Sequence, residues 1–168
     1  MTKDNLDLKF GDYKYIRPDF EKLRTDIRTL TQRLVNAKTV EEAIETYNEL
    51  DELNSNADSM VALAHVKNSI DTKDEFYDKE NDFFDESNPL FTKLSNEFNK
   101  EMVQSKFRKE LEKEFGHQVF DLTDLSLKVF SPEIMDDLMA ENKLTSKYSK
   151  LIASAQIEFQ GEKRTLSQ

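Results

Sequence analysis

Residues 71–102, DTKDEFYDKENDFFDESNPLFTKLSNEFNKEM, carry a two-sided helical pattern that decides the fold. At about 100° of rotation per residue, acidic side chains collect on one side of a helix and apolar side chains on the other. Thr72 and Glu75 have the spacing of a capping box, which predicts that a helix begins here. Pro89 interrupts the pattern and predicts a kink or two abutting helices. The acidic positions are Asp71, Glu75, Asp78, Asp82, Asp85 and Glu86, and the apolar positions are Phe76, Phe83, Phe84, Leu90, Phe91, Leu94, Phe98 and Met102.

Each side of this helix has two interpretations. The acidic side is typical of a solvated helix surface, and the alternative is that it attracts a cationic peptide or a divalent ion. The aromatic side favours core packing, and the alternative is a binding groove. Glu80 and Ser87 fall within the apolar side, where a carboxylate needs a partner or a raised pKa. One hypothesis is that Glu80 contacts His65, at the matching height of the preceding helix, or a lysine, and the alternative is that Glu80 reaches solvent at an interface.

Two helices are predicted before this segment. Pro18 suits the first turn of a helix, and an apolar stripe of Phe20, Leu23, Ile27, Leu30 and Leu34 follows it as far as Asn36. Thr39 and Glu42 form another capping-box pattern. Ala43, Leu50, Ala57 and Ala64 then recur at seven-residue steps. The absence of Gly and Pro between Pro18 and Pro89 agrees with long helices here.

Shorter elements are predicted after residue 105. We expect helices at 106–115, ended by a left-handed Gly116, at about 117–129, at 133–141 and at 145–155. Ser131 and Pro132 are good start signals for the third of these. Ile157 and Phe159 then alternate with polar residues, Gly161 supplies a turn, and Lys163 to Leu166 return as a second strand. The predicted fold is all-α, an array of long antiparallel helices with a short C-terminal β-hairpin.

Composition excludes several classes of function. The formal net charge of -10 over 168 residues argues against a surface that binds nucleic acid. The chain has no cysteine, which excludes disulfides, thiolate metal sites and a cysteine nucleophile. No apolar run approaches the ~20 residues that a membrane span needs, and residues 1–17 do not resemble a signal peptide. We therefore expect a cytoplasmic protein that binds neither membranes nor nucleic acid.

Catalytic motifs are missing from the sequence. A His-Glu-x-x-His helix would place two imidazoles one turn apart on a zinc ion, but the only histidines, His65 and His117, are followed by Val66 and Gln118. The sequence has no Gly-rich phosphate loop, no Gly-x-Ser-x-Gly elbow and no EF-hand loop. We predict no catalytic and no metal-binding residue in this chain.

Several blocks of sequence resemble the oligoendopeptidase F family of thimet-oligopeptidase-like zinc metallopeptidases. The blocks occur in family order over nearly the whole chain, and none of them is a catalytic motif. They are 15–20 (YIRPDF), 69–77 (SIDTKDEFY), 80–86 (ENDFFDE), 130–133 (FSPE), 141–144 (ENKL) and 153–161 (ASAQIEFQG).

The resemblance implies a zinc peptidase that acts on short peptides inside the cell. In this family a helical N-terminal part covers one side of a deep channel, and the zinc ligands come from a later part of the chain. We therefore expect residues 1–155 to be the N-terminal helical domain and residues 156–168 to be a hairpin leading into a missing C-terminal catalytic domain. Such a lobe would be inactive alone and would leave some apolar surface exposed. The alternative is a stand-alone acidic helical interaction module without enzymatic activity.

Overall fold

The computed structural model describes residues 9–165 of the chain. Within that range the chain forms six α-helices followed by one two-stranded antiparallel sheet, which confirms the predicted fold class. The described residues contain no helix that is both long enough and apolar enough to cross a membrane. The elements are α1 (Phe20–Asn36), α2 (Val40–Ile70), α3 (Glu75–Val103), α4 (Arg108–Phe115), α5 (His117–Val129), α6 (Met135–Ser154), β1 (Ile157–Phe159) and β2 (Glu162–Arg164).

The starts of the long helices are fixed by side-chain caps. Asp19 Oδ1 accepts a hydrogen bond from the Lys22 amide (3.0 Å) and caps α1. Thr39 caps α2 as predicted, because its Oγ1 accepts from the amide of Glu42. The predicted cap of α3 was wrong, since Asp74 rather than Thr72 holds that position. A carboxylate is as good a cap as a hydroxyl, and Asp74 lies directly before the first helical residue.

The core lies where α1, α2 and α3 pack on one another, and α4 and α5 close one end of it. The first predicted stripe is confirmed, because Ile27 and Leu34 are buried there. Phe98 and Met102 supply the apolar side of α3. Burial of such side chains is the main favourable term in folding. The other buried members are Leu30, Ala37, Ala43, Leu50, Leu111 and Phe120.

The short helices differ from the prediction in detail. Helix α4 begins at Arg108, two residues later than expected. Gly116 has φ 87° and ψ 141°, so its φ is positive but its ψ is extended rather than helical. The physical reason is that Gly116 both ends α4 and precedes the first residue of α5, so the backbone has to turn there.

Helix α6 and the hairpin end the described chain. The two helices expected at 133–141 and 145–155 are one continuous helix, α6, because residues 142–144 carry no helix breaker. Gln160 and Gly161 both have positive φ, as a two-residue hairpin turn requires. The second strand begins at Glu162, one residue earlier than expected, and Leu166 lies outside the described residues.

Pro89 lies inside α3, which continues without a break. Of the two expected outcomes, a kink or two abutting helices, the second was therefore wrong. Proline has no backbone N–H, so the carbonyl four residues earlier, that of Asp85, loses its helical donor. Asn142 of α6 replaces that donor, because its Nδ2 donates to the Asp85 carbonyl oxygen at 3.3 Å. A contact from another helix thus satisfies the carbonyl that Pro89 leaves without a donor.

This substitution of donors can be tested by a double-mutant cycle. Asn142→Ala should lower the free energy of unfolding by about 1 kcal/mol, because it leaves the Asp85 carbonyl without a donor. In a Pro89→Ala background the alanine supplies the backbone N–H that proline lacks. Asn142→Ala should then lower the free energy of unfolding by less than about 0.5 kcal/mol. Urea denaturation of the four proteins measures both values. Equal losses in the two backgrounds would contradict the link between Asn142 and Pro89.

Candidate functional site

The lead-in before α1 is fastened to α3 through a buried carboxylate. The side chain of Glu80 is only 3% exposed and forms an ion pair with Arg17. Arg17 Nε donates to Glu80 Oε2 at 2.8 Å, Arg17 Nη2 donates to Oε1, and the Tyr15 hydroxyl donates to Oε2. The Arg17 guanidinium also lies 4.4 Å from the centre of the Phe83 ring. Two-point binding of this kind holds a carboxylate in a defined orientation.

The surroundings of Glu80 fix its charge. The hydrogen bonds from Arg17 lower the pKa of the Glu80 carboxyl, against the opposing effect of burial. Burial, followed by the contact with Glu80, raises the pKa of the Tyr15 hydroxyl. Glu80 is therefore a carboxylate and Tyr15 a neutral donor at neutral pH. The structure gives Glu80 a partner, as its position required, but that partner is Arg17 and not the expected His65 or a lysine.

The acidic side of α3 is not simply solvated, because α6 packs against it. Lys150 Nζ lies 2.5 Å from Asp78 Oδ1 and 3.5 Å from Asp82 Oδ1. Lys143 Nζ lies 2.7 Å from Glu86 Oε1. Asp85, expected on the solvated side, is buried and accepts a hydrogen bond from Ser146 Oγ at 2.7 Å. The cationic groups that this surface attracts therefore include two lysines of the same chain.

A polar cavity of about 450 Å³ lies between α2, α3 and α6. His65 lines this cavity and does not reach Glu80. Asn81 Nδ2 donates to Asn68 Oδ1 at 2.8 Å within the buried part of the wall. Most of the side chains that line the cavity carry hydrogen-bonding groups, which suits water or a polar group. The lining residues are His65, Asn68, Ser69, Thr72, Asn81, Asp85, Asn88, Asn142, Thr145, Ser146, Ser149, Lys150 and Ala153.

A second groove, of about 570 Å³, lies between α1 and α3 and is aromatic. The ring of Phe20 meets Phe83 edge-on at 5.3 Å and Phe91 at 6.0 Å. Leu90 borders the groove and is 52% exposed. Core packing is confirmed for part of the apolar side of α3, because Phe84 and Phe98 are buried. Another part of that side borders this open groove, for which a binding role stays a prediction.

The described residues do not assemble a catalytic centre of a recognised kind. Within residues 9–165 no group of three or more His, Cys, Asp or Glu side chains is arranged to hold a metal ion. His117 Nδ1 lies 3.0 Å from Asp121 on the exposed side of α5, where both side chains are largely in solvent.

The sequence matches the model of one protein family, described as the peptidase M3 N-terminal domain, over residues 10–130. The chain belongs to the peptidase M3 family. This match covers more than half of the M3 chain and confirms the resemblance seen in its sequence blocks. A search of curated proteins gives no match to it.

Solved structures resemble the M3 chain over almost its whole length. PZ peptidase A, solved with an inhibitor, is 43% identical, covers 95% of the chain and has a TM-score of 0.92. Two proteins described as oligoendopeptidase F, one of them from Bacillus anthracis str. Ames, are 42% and 41% identical over 96% and 94% of the chain, with TM-scores of 0.92 and 0.90. The M3 chain spans only 28% to 29% of the lengths of these three proteins.

Sequence reasoning on Glu80 missed Tyr15 and Arg17, although both lie in the first block that resembles the family. A signal was present, since Arg17 directly precedes Pro18 and Tyr15 lies three residues before that proline. The angular pattern placed Glu80 on the apolar side of α3. The lead-in before α1 has no periodicity, so its contacts could not be predicted from its sequence. The partner could be found only from the tertiary structure.

Proposed function

We propose that this chain is the N-terminal lobe of a zinc-dependent oligoendopeptidase that hydrolyses short peptides. The observation that carries the proposal is the similarity of almost the whole chain to PZ peptidase A, at 43% identity and a TM-score of 0.92. Since the chain spans 28% of that protein, the activity would belong to a longer parent. The described residues do not offer the donor set that zinc needs, so the rest of the parent would have to hold the metal.

The lobe itself would serve as a wall of the substrate channel. Helices that pack into a rigid array can limit the size of the peptide and help to keep bulk water from it. The Arg17–Glu80 pair supports such a role, because it fastens the lead-in before α1 to α3. A cytoplasmic location stays a prediction of the sequence.

Activity measurements on two proteins test the proposal. The 168-residue chain should not cleave a short internally quenched peptide, with or without added zinc, because residues 9–165 offer no set of side chains that could hold the metal. A chimera in which this chain replaces the matching part of PZ peptidase A should cleave the peptide, lose activity with a chelator and regain it with zinc.

Two results would contradict the proposal. Chelator-sensitive cleavage by the isolated chain would show that the lobe is itself a peptidase. A folded chimera without activity would instead favour the stand-alone interaction module. Circular dichroism on each protein establishes that it is helical before its activity is measured.

A further inference from the structure

Helix α6 packs with its two sides in the reverse of the usual order. Asn142, Ser146 and Lys150 lie on one side, at spacings of four residues, and this polar side contacts α3. The opposite side carries Leu144, Tyr148 and Leu151, which are 65%, 65% and 66% exposed. A helix at the surface of a complete domain normally buries its apolar stripe and presents its polar side to water.

The polar side of α6 cannot exchange places with the apolar side at little cost. Asn142 supplies the donor that the Asp85 carbonyl needs, and Ser146 donates to the buried Asp85 carboxylate. Rotating α6 to bury its leucines would leave both groups of Asp85 without these partners, and each unsatisfied polar group costs about 1–3 kcal/mol. The polar contacts therefore hold the apolar stripe outward.

The neighbouring elements expose apolar side chains in the same way. Helix α5 buries Phe120 but leaves Leu122, Leu125 and Val129 mostly exposed, and these three lie on one side of the helix. An apolar surface of this kind on a soluble domain usually marks an interface.

The solved relatives of this chain are more than three times as long as it is. PZ peptidase A and the two oligoendopeptidase F proteins each match nearly all of this chain with less than a third of their own length. More than two thirds of each relative is therefore polypeptide with no counterpart here. We propose that the apolar stripe of α6, Leu144, Tyr148 and Leu151, is the surface on which that remaining polypeptide packs. This inference rests on the proposed function, from which it takes its partner.

Thiol labelling can test the docking surface, because the chain contains no cysteine of its own. Leu144→Cys places a thiol in the stripe, and Val35→Cys, at a position 53% exposed near the end of α1, is the matched control. Each variant is labelled with a maleimide, both as the isolated chain and within the chimera with PZ peptidase A. Peptide mass spectrometry then gives the rate at each thiol.

The thiol of the Leu144→Cys variant should react in the chimera about tenfold more slowly than in the isolated chain, or slower still, because docking buries it. The thiol of the Val35→Cys variant should react at similar rates in both. An active chimera whose stripe labels as fast as in the isolated chain would overturn the docking surface and leave the proposed function standing. A protected stripe in an inactive chimera would support the docking surface and count against the proposed function, and an inactive, unprotected chimera would overturn both.

A second copy of this chain is the competing occupant. If the isolated Leu144→Cys chain becomes protected as its concentration rises, and light scattering shows a dimer over the same range, the stripe is a self-association surface and the proposal is overturned. The proposal is supported if the labelling rate of the isolated Leu144→Cys chain does not depend on its concentration and the thiol is protected in the chimera.

Discussion

Replacement of Arg17 by methionine is expected to lower the free energy of unfolding by about 2–3 kcal/mol at neutral pH. The change leaves the Glu80 carboxylate, whose side chain is 3% exposed, without its cationic partner. Loss of one partner of a fully buried ion pair costs about 3–5 kcal/mol, and the half-exposed Arg17 side chain places this pair below that range. Urea denaturation followed by circular dichroism measures the loss.

The loss should depend on pH in a defined direction. Arg17 lowers the pKa of Glu80 in the folded chain, so the stabilisation is present above the unfolded pKa of about 4.3 and is lost as the pH falls through the lower folded pKa. In Arg17→Met, burial without a cation should raise the pKa of Glu80, and protonation then relieves the buried charge. The difference in the free energy of unfolding between Arg17→Met and the unmutated chain should therefore become smaller as the pH falls from 7 to about 4.

Two controls separate this pair from a general effect of removing an arginine. Arg24 pairs with Glu21 at the surface, and Arg24→Met should cost less than about 0.5 kcal/mol. Arg17→Met combined with Glu80→Met removes both charges and should restore most of the stability. A double variant as unstable as Arg17→Met would show that the loss does not come from the unpaired carboxylate.

Truncation of Phe98 to alanine is expected to cost about 3–5 kcal/mol, because it opens a cavity in the core. Phe98 is fully buried and packs in the same cluster as Leu34, Leu50, Met102 and Phe120. Residues of five helices, α1 to α5, meet in this cluster, so the site cannot close around a smaller side chain without moving several of them. Thermal and urea unfolding both measure the change.

Phe76 offers a matched control on the same helix. It is 55% exposed and touches the rings of Tyr15 and Tyr77, so Phe76→Ala should cost only about 1 kcal/mol. Similar losses at positions 76 and 98 would contradict the placement of the core.

The resemblance to known peptidases came from the sequence and was confirmed, but the exposed surfaces were predicted less well. Asp85 was placed on a solvated side from its angle on α3, and the angle itself was sound. Its burial comes from α6, some sixty residues later, whose Ser146 and Asn142 bind it. The aromatic side of α3 likewise divides between the core and an open groove against α1, and the sequence did not show where that division falls. Periodicity gives the direction of a side chain but not what lies opposite it.

The sequence by itself determined the local structure of this protein. Apolar spacing set the long helices, Thr39 set the start of α2, and Gly161 set the hairpin turn, because each of these depends on residues within a few positions. Ser131 likewise caps a single 3-10 turn, Pro132–Ile134, which directly precedes α6. The tertiary structure decided the partner of Glu80, the continuity of α3 through Pro89 and the outward apolar stripe of α6. Each of those is a contact between residues far apart in sequence, and only the packing of whole helices brings them together.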